Sequence, residues 1–100
     1  MQITEVKVYP AKENGSRLKA YATVVFDNCF IIRDLKVIEG DKGFFVSMPS
    51  RRRKDGTFRD IVHPLNSEMR KEIEDTIVKE YKKILELEEN GGTLNIEEMD

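Results

Sequence analysis

The spacing of the apolar residues changes at Pro64, and this change restricts the possible fold more than any other feature of the sequence. Beyond Pro64, apolar side chains recur every three or four residues, which is the repeat of an amphipathic α-helix. Asn66 or Ser67 can cap the start of this helix, because a side-chain oxygen there accepts a hydrogen bond from a backbone amide of the first turn. We expect the helix to run to about Glu89 and to end at Asn90-Gly91-Gly92. Its apolar stripe comprises Met69, Ile73, Ile77, Tyr81, Ile84 and Leu87.

Before Pro64 the apolar residues alternate or run continuously, which is typical of β-strands. Four such segments lie at 3–9, 18–26, 29–38 and 43–48. Asn14-Gly15 marks a turn, and Asp27-Asn28 has the length and residue types of a two-residue hairpin loop. Short connections favour neighbouring antiparallel strands. The predicted fold class is therefore α+β, an antiparallel meander of four to six strands followed by one long C-terminal α-helix.

The third strand segment, 29–38, carries apolar residues on both faces, as expected of a strand that is covered on both sides. One helix covers only one face of the sheet. A second layer must then come from another copy of the chain, so we predict a homodimer that associates through the sheet. Cys29, the only cysteine, excludes an internal disulfide, and we expect it to pack at the start of this strand.

Length and composition indicate one small globular domain, predicted to span residues 1–89. There is no apolar leader at the N-terminus and no stretch long enough to cross a bilayer, so the expected location is the cytoplasm, with no membrane partner. All seventeen Lys and Arg residues lie in 1–83, with thirteen of the nineteen acidic residues, so this part carries a formal charge of +4. Residues 90–100 form an acidic C-terminal tail that we expect to be flexible.

Positive charge is concentrated between Met48 and Pro64, around Asp55-Gly56, a dipeptide that favours a hairpin turn. If these two residues form the loop, Arg52 faces Arg59 and Arg51 faces Asp60. Alternation then places Arg52, Lys54 and Arg59 on one face, and these become the preferred phosphate contacts, while Arg51 partly holds the hairpin together. The candidate nucleic-acid-binding residues are Arg51, Arg52, Arg53, Lys54 and Arg59.

Arginine suits phosphate recognition because its planar fork binds the anion through two hydrogen bonds. The alternative is an ordinary solvated turn, since most charge runs are surface loops. A second alternative is a protein-interaction module whose basic hairpin binds an acidic protein surface, without nucleic acid. Further cations lie on the helix, but they alternate with acidic residues, which favours surface ion pairs. These cations are Arg70, Lys71, Lys79, Lys82 and Lys83.

No catalytic site is predicted. His63 is the only histidine and has no nucleophile or metal-ligand pattern around it. The glycines form neither a dinucleotide-binding nor a P-loop motif. Phe44 and Phe45 are adjacent on one strand and point to opposite faces, so at least one should pack in the core. We therefore expect a protein that is not an enzyme and has no cofactor, metal or small-molecule substrate.

Several segments together resemble the SpoVG family (stage V sporulation protein G). They are VKVYP at 6–10, LKAYA at 18–22, FDNCF at 26–30, VIEG at 37–40, GFFVSMPS at 43–50 and FRDIVHP at 58–64. The resemblance covers roughly residues 1–85 and implies a small α+β protein that dimerises through its sheet. It also implies a bacterial regulator in septation, sporulation or virulence gene control that binds DNA, in some members also RNA, and can associate with the nucleoid. The basic binding segment of the family corresponds to Arg51, Arg52, Arg53, Lys54 and Arg59. The acidic tail lies in the variable part of the family, so the resemblance implies no role for it.

Overall fold

The computed structural model describes residues 1–12 and 15–89. It contains six strands and one helix in this part of the chain. Asn14 of the predicted first turn, the predicted helix stop at Asn90-Gly91-Gly92 and the acidic tail lie outside the described residues. The elements are β1 (Ile3–Pro10), β2 (Leu18–Phe26), β3 (Phe30–Gly40), β4 (Gly43–Ser47), β5 (Ser50–Arg52), β6 (Phe58–Asp60) and α1 (Ser67–Glu89).

The first four strands form one antiparallel sheet in the order β1-β2-β3-β4, and β5 and β6 form a separate two-stranded ribbon. The α+β meander followed by one helix is therefore confirmed. α1 contacts β1, β2 and β4 of its own chain, on one face of the sheet. No helix in the described ranges is both long and apolar enough to cross a membrane.

The hydrophobic core of the described residues lies between the inner face of the sheet and one side of α1. Val8, Ala22 and Leu35 are cross-strand neighbours on β1, β2 and β3, and all three are buried. Ile77 at the middle of α1 is fully buried, and burying an isoleucine side chain contributes about 1.5–3 kcal/mol. Phe44 packs edge to face against Tyr81, with 5.2 Å between the ring centroids.

The predicted helix is confirmed in its start and in most of its apolar stripe. Asn66 is the cap, since its Oδ1 accepts a hydrogen bond from the Met69 amide at 2.8 Å. Ile73, Ile77, Tyr81 and Ile84 are buried and Met69 is half-buried. Leu87 is 54% exposed, so its inclusion in the stripe was wrong. Leu85 packs against the core beside buried Ile84 instead, so the covered side of the helix passes through Ile84 and Leu85 and not through Leu87.

A β-bulge on β3 changes which of its residues face the core. Ala22 pairs with Leu35 but Val24 pairs with Ile32, so β3 has one extra residue between these pairs. Asp34 within this interval has a positive φ of 63°. Because of the extra residue, the alternation of inward and outward side chains is shifted by one position after the bulge. Ile32, Leu35 and Val37 therefore all face the core.

The turn at Asp27-Asn28 forms, but the strand after it begins one residue later than predicted. Both residues have positive φ (49° and 53°), and the Cys29 amide donates to the Phe26 carbonyl at 3.0 Å. Phe26 pairs with Phe30, which leaves Cys29 in the loop and exposed. The expectation that Cys29 packs as a strand residue was therefore wrong, because the strand register starts at Phe30.

The outer face of the sheet carries apolar side chains that nothing in the described chain covers. Its cross-strand pairs include Val25 with Ile31 and Ile38 with Phe45. Ile31 is 46% exposed, and Phe45 is exposed to a similar extent. As predicted, Phe44 and Phe45 lie on opposite faces, with Phe44 on the helix side. Residues 1–12 and 15–89 supply a second layer for one face of the sheet only.

Candidate nucleic-acid interface

The basic segment forms a hairpin that projects from the rest of the molecule. Pro49 and Ile61 close its base, because the Ile61 amide donates to the Pro49 carbonyl at 2.8 Å. Every residue from Ser50 to Ile61 is exposed. β5 and β6 pair with each other and do not pack closely against the main sheet or α1. The hairpin side chains are therefore directed to solvent and do not contribute to the core.

The hairpin loop has three residues, Lys54-Asp55-Gly56, and not the two that we predicted. The Gly56 amide donates to the Arg53 carbonyl at 3.0 Å, and the Arg53 amide donates to the Thr57 carbonyl at 2.6 Å. Gly56 has a φ of 91°, a conformation that side chains other than glycine rarely adopt. A turn followed by a glycine with positive φ is the usual construction of a three-residue hairpin loop.

The longer loop shifts the pairing by one residue, which reverses the faces of the hairpin. Arg51 pairs with Arg59, Arg52 pairs with Phe58, and Ser50 pairs with Asp60. The predicted pairs of Arg52 with Arg59 and of Arg51 with Asp60 were therefore wrong. So was the ranking drawn from them, because Arg52 and Arg59 lie on opposite faces. One face carries Arg51 and Arg59, and alternation adds Arg53 to it; the other carries Arg52 and Phe58.

Asp55 uses its carboxylate to order the loop. Its Oδ1 accepts hydrogen bonds from the Thr57 hydroxyl at 2.6 Å and from the Thr57 amide at 3.0 Å. The hydrogen bond from the Thr57 side chain, followed by that from the Thr57 amide, lowers the pKa of Asp55 below its ordinary value. The Asp55 carboxylate is thus engaged by Thr57 within the hairpin loop, next to the cations of residues 51–54.

All five predicted binding residues are brought together around one open concavity of about 830 Å³. None of the five forms an ion pair with another residue of the described ranges; the ion pairs found there lie on other elements. The pairing of Arg51 with Arg59 sets two like charges directly opposite each other, which is unfavourable without an anion between them. The concavity is lined by Arg51, Arg52, Arg53, Lys54, Asp55, Arg59, Asp60 and Ile61.

Two of the five helix cations form the predicted surface ion pairs, whereas Arg70, Lys79 and Lys82 form none within the described ranges. Lys71 pairs with Asp75 at 3.2 Å, and Lys83 pairs with Glu80 at 3.7 Å. Both are exposed pairs at helical spacing and contribute little to stability. The longest run of consecutive cations along the chain lies on β5 and the hairpin loop, at residues 51–54.

The remaining candidate groups form no further site. His63 is exposed, and its Nδ1 lies 3.0 Å from the Pro64 carbonyl oxygen. Across residues 1–12 and 15–89, no group of three or more His, Cys, Asp or Glu side chains is arranged to hold a metal ion. Sequence reasoning did miss Phe58, which is 71% exposed in the middle of the basic hairpin. The signal was present, since an aromatic residue directly precedes Arg59 in a segment that is otherwise polar.

The fold and the hairpin define a class of protein, a small sheet-and-helix scaffold that presents an arginine-rich ribbon to solvent. Residues 1–83 match the family model described as SpoVG. The chain belongs to the SpoVG family, whose members are named as septation proteins.

Individual relatives are similar over most of their length, and each is named "Putative septation protein SpoVG". The protein from Bdellovibrio bacteriovorus is 58% identical over 94 residues, which cover 94% of this chain and 83% of the relative. The protein from Archaeoglobus fulgidus is 56% identical over 81 residues, 81% of this chain and 94% of the relative. The protein from Acholeplasma laidlawii is 46% identical over 98 residues, 98% of this chain and all of the relative.

Proposed function

We propose that this protein is a nucleic-acid-binding regulator without enzymatic activity, which acts in septation or a related process by controlling gene expression. The hairpin binds phosphates of DNA or RNA through Arg51, Arg52, Arg53, Lys54 and Arg59. The single observation that carries the proposal is this set of five exposed cations on a projecting ribbon, with no ion-pair partner in the described chain. In this proposal the protein is cytoplasmic.

The charge and shape of the hairpin support phosphate as its ligand. Residues 50–60 carry five cations and two carboxylates, a formal charge of +3, and the Asp55 carboxylate is engaged by Thr57. A two-stranded ribbon is narrow enough to enter the major groove of DNA, which is about 12 Å wide. A phosphate between Arg51 and Arg59 would relieve the repulsion of these two like charges.

A charge-reversal experiment tests this function. The variant R51E/R52E/R53E should lose binding to duplex DNA and to single-stranded RNA in a gel-shift titration at low salt. Circular dichroism should remain that of the parent, since these side chains make no contact with the core. Retained affinity in the folded variant would show that the hairpin is not the binding site.

The parent protein in the same gel-shift titration tests whether this protein binds nucleic acid at all. If it shifts neither DNA nor RNA even at low salt, the function proposed here is wrong. That result would favour the alternative, in which the hairpin binds an acidic protein surface in cell division. A shift by the parent that weakens steeply with added salt is the expected outcome.

The proposed regulator is a homodimer formed through the outer face of the sheet. Support comes from the exposed apolar side chains of this face, including Tyr21, Ile31 and Phe45, which α1 cannot reach from the other side. A second copy would bury these side chains and would place two basic hairpins in one particle. Sedimentation equilibrium should give twice 11.6 kDa for the parent and a monomer for I31D. A monomeric parent at micromolar concentration would contradict the dimer.

A further inference from the structure

Phe58 is a large apolar side chain at a position of the hairpin where it is not buried. It is 71% exposed on β6, in a ribbon whose residues are all exposed. It adds nothing to the core between the sheet and α1. In residues 1–12 and 15–89, its ring makes no edge or face contact with another aromatic ring. The position would tolerate a polar residue as far as the fold of this chain is concerned.

The surroundings of Phe58 are cationic. Its cross-strand partner is Arg52, and directly opposite residues in an antiparallel ribbon have Cβ atoms about 4.5–5.5 Å apart. The Arg52 side chain extends toward the turn, since its Nη2 lies 4.0 Å from the position that a Cβ on Gly56 would occupy. Phe58 remains 71% exposed beside this arginine, so its side chain is accessible to a ligand. The adjacent residue Arg59 points to the opposite face with Arg51.

We propose that Phe58 is a stacking platform for an unpaired nucleobase, and that the hairpin therefore prefers single-stranded or locally unpaired nucleic acid over a regular duplex. This inference rests on the function proposed above. An aromatic face amid phosphate-binding cations is the combination by which single strands are bound, because the cations follow the backbone and each base presents a π-face. In a duplex the bases are already paired and stacked, so a base must first be displaced before it can reach Phe58.

The chain contains no tryptophan, which allows a direct measurement of stacking. The variant F58W would carry a single tryptophan at the proposed platform. Its fluorescence should be quenched when a single-stranded oligonucleotide of about ten residues is added to saturation, and should change little with a duplex of the same sequence. Anisotropy of a labelled oligonucleotide should follow binding independently in each titration.

Affinity measurements on F58A and F58L give the second test. Both variants should bind the single strand about 5- to 100-fold more weakly than the parent, while their affinity for the duplex should stay within about 3-fold. F58L retains the bulk of an apolar side chain but lacks the ring, so it separates stacking from simple packing. F58W should retain the affinity of the parent for the single strand.

The outcomes distinguish this inference from the function on which it rests. Bound oligonucleotide with unchanged tryptophan fluorescence in F58W, or equal losses on single strand and duplex for F58A, would overturn the stacking role and leave phosphate binding intact. No binding of either nucleic acid by the parent would instead remove the proposed function. Loss of the dimer in sedimentation of F58A would also overturn the inference, by making Phe58 a contact between copies of the chain.

Discussion

The salt dependence of DNA binding gives a quantitative test of the hairpin, and the corrected strand pairing determines which variant to use. Arg51, Arg53 and Arg59 share one face, so R51Q/R53Q/R59Q removes the charge of that face while retaining Lys54, Arg52 and polar side chains of similar length. The matched control is K79Q/K82Q/K83Q, which removes the same charge from exposed positions of α1.

The expected size of the effect follows from the number of cations. Each phosphate contact on duplex DNA contributes about −0.9 to the slope of log affinity against log salt concentration, so five contacts give about −4.5 per hairpin. For one hairpin on the duplex, affinity then falls about 500-fold between about 50 and 200 mM salt, and a second bound hairpin would double the slope. Removing three contacts leaves a slope of about −1.8 and a decrease of about 12-fold over the same range.

Fluorescence anisotropy of a labelled duplex, titrated at several salt concentrations, measures these slopes directly. The helix control should keep the slope of the parent, because its cations do not belong to the hairpin surface. A slope unchanged in R51Q/R53Q/R59Q but reduced in the helix control would refute the assignment and move the contact surface to α1. Circular dichroism and sedimentation should show that both variants keep the fold and the assembly of the parent.

Three further predictions concern the scaffold and the loop. I77A should lower the free energy of unfolding by about 2–5 kcal/mol in urea titrations, because Ile77 is fully buried, and a loss below about 1 kcal/mol would contradict its central position. N66A should cost about 0.5–2 kcal/mol by removal of the cap on the Met69 amide, whereas N66D should cost little. T57V should raise the pKa of Asp55 in an NMR titration. Because the native pKa of Asp55 is lowered, the Asp55 carboxylate contributes to loop order above its ordinary pKa, and this contribution is lost as the pH falls through the lowered value. An unchanged pKa of Asp55 in T57V would show that the Thr57 hydroxyl does not lower it.

Most features of the helix could be predicted from residues that are close along the chain. The buried positions Ile73, Ile77 and Tyr81 follow from helical periodicity. The sequence left Asn66 and Ser67 as alternative caps, and the hydrogen bond from the Met69 amide selects Asn66. Leu87 fits the same periodicity and is nevertheless exposed, because burial also requires a partner surface. Periodicity identifies the side of a helix that can be buried, and contacts with the sheet decide which residues of that side are buried: here Leu85 packs against the core and Leu87 does not.

In the strands, by contrast, the local sequence pattern does not predict which residues face the core. The bulge at Asp34 and the three-residue loop ending at Gly56 each insert one residue into an alternating pattern. A single inserted residue reverses the facing of every residue beyond it. Asp55-Gly56 suits both a two-residue and a three-residue loop, so the dipeptide alone could not distinguish the two registers.

The sequence by itself determined the order of elements, the helix with its start at Asn66 or Ser67, and the concentration of five cations in one short segment, because these depend on residues that are close along the chain. Only the tertiary structure decided which cations share a face, that Phe58 stands exposed beside Arg52, and that none of the described elements covers the outer face of the sheet. These properties depend on strand register and on contacts between distant segments. A shift of one residue changes them completely while leaving the local pattern of the sequence the same.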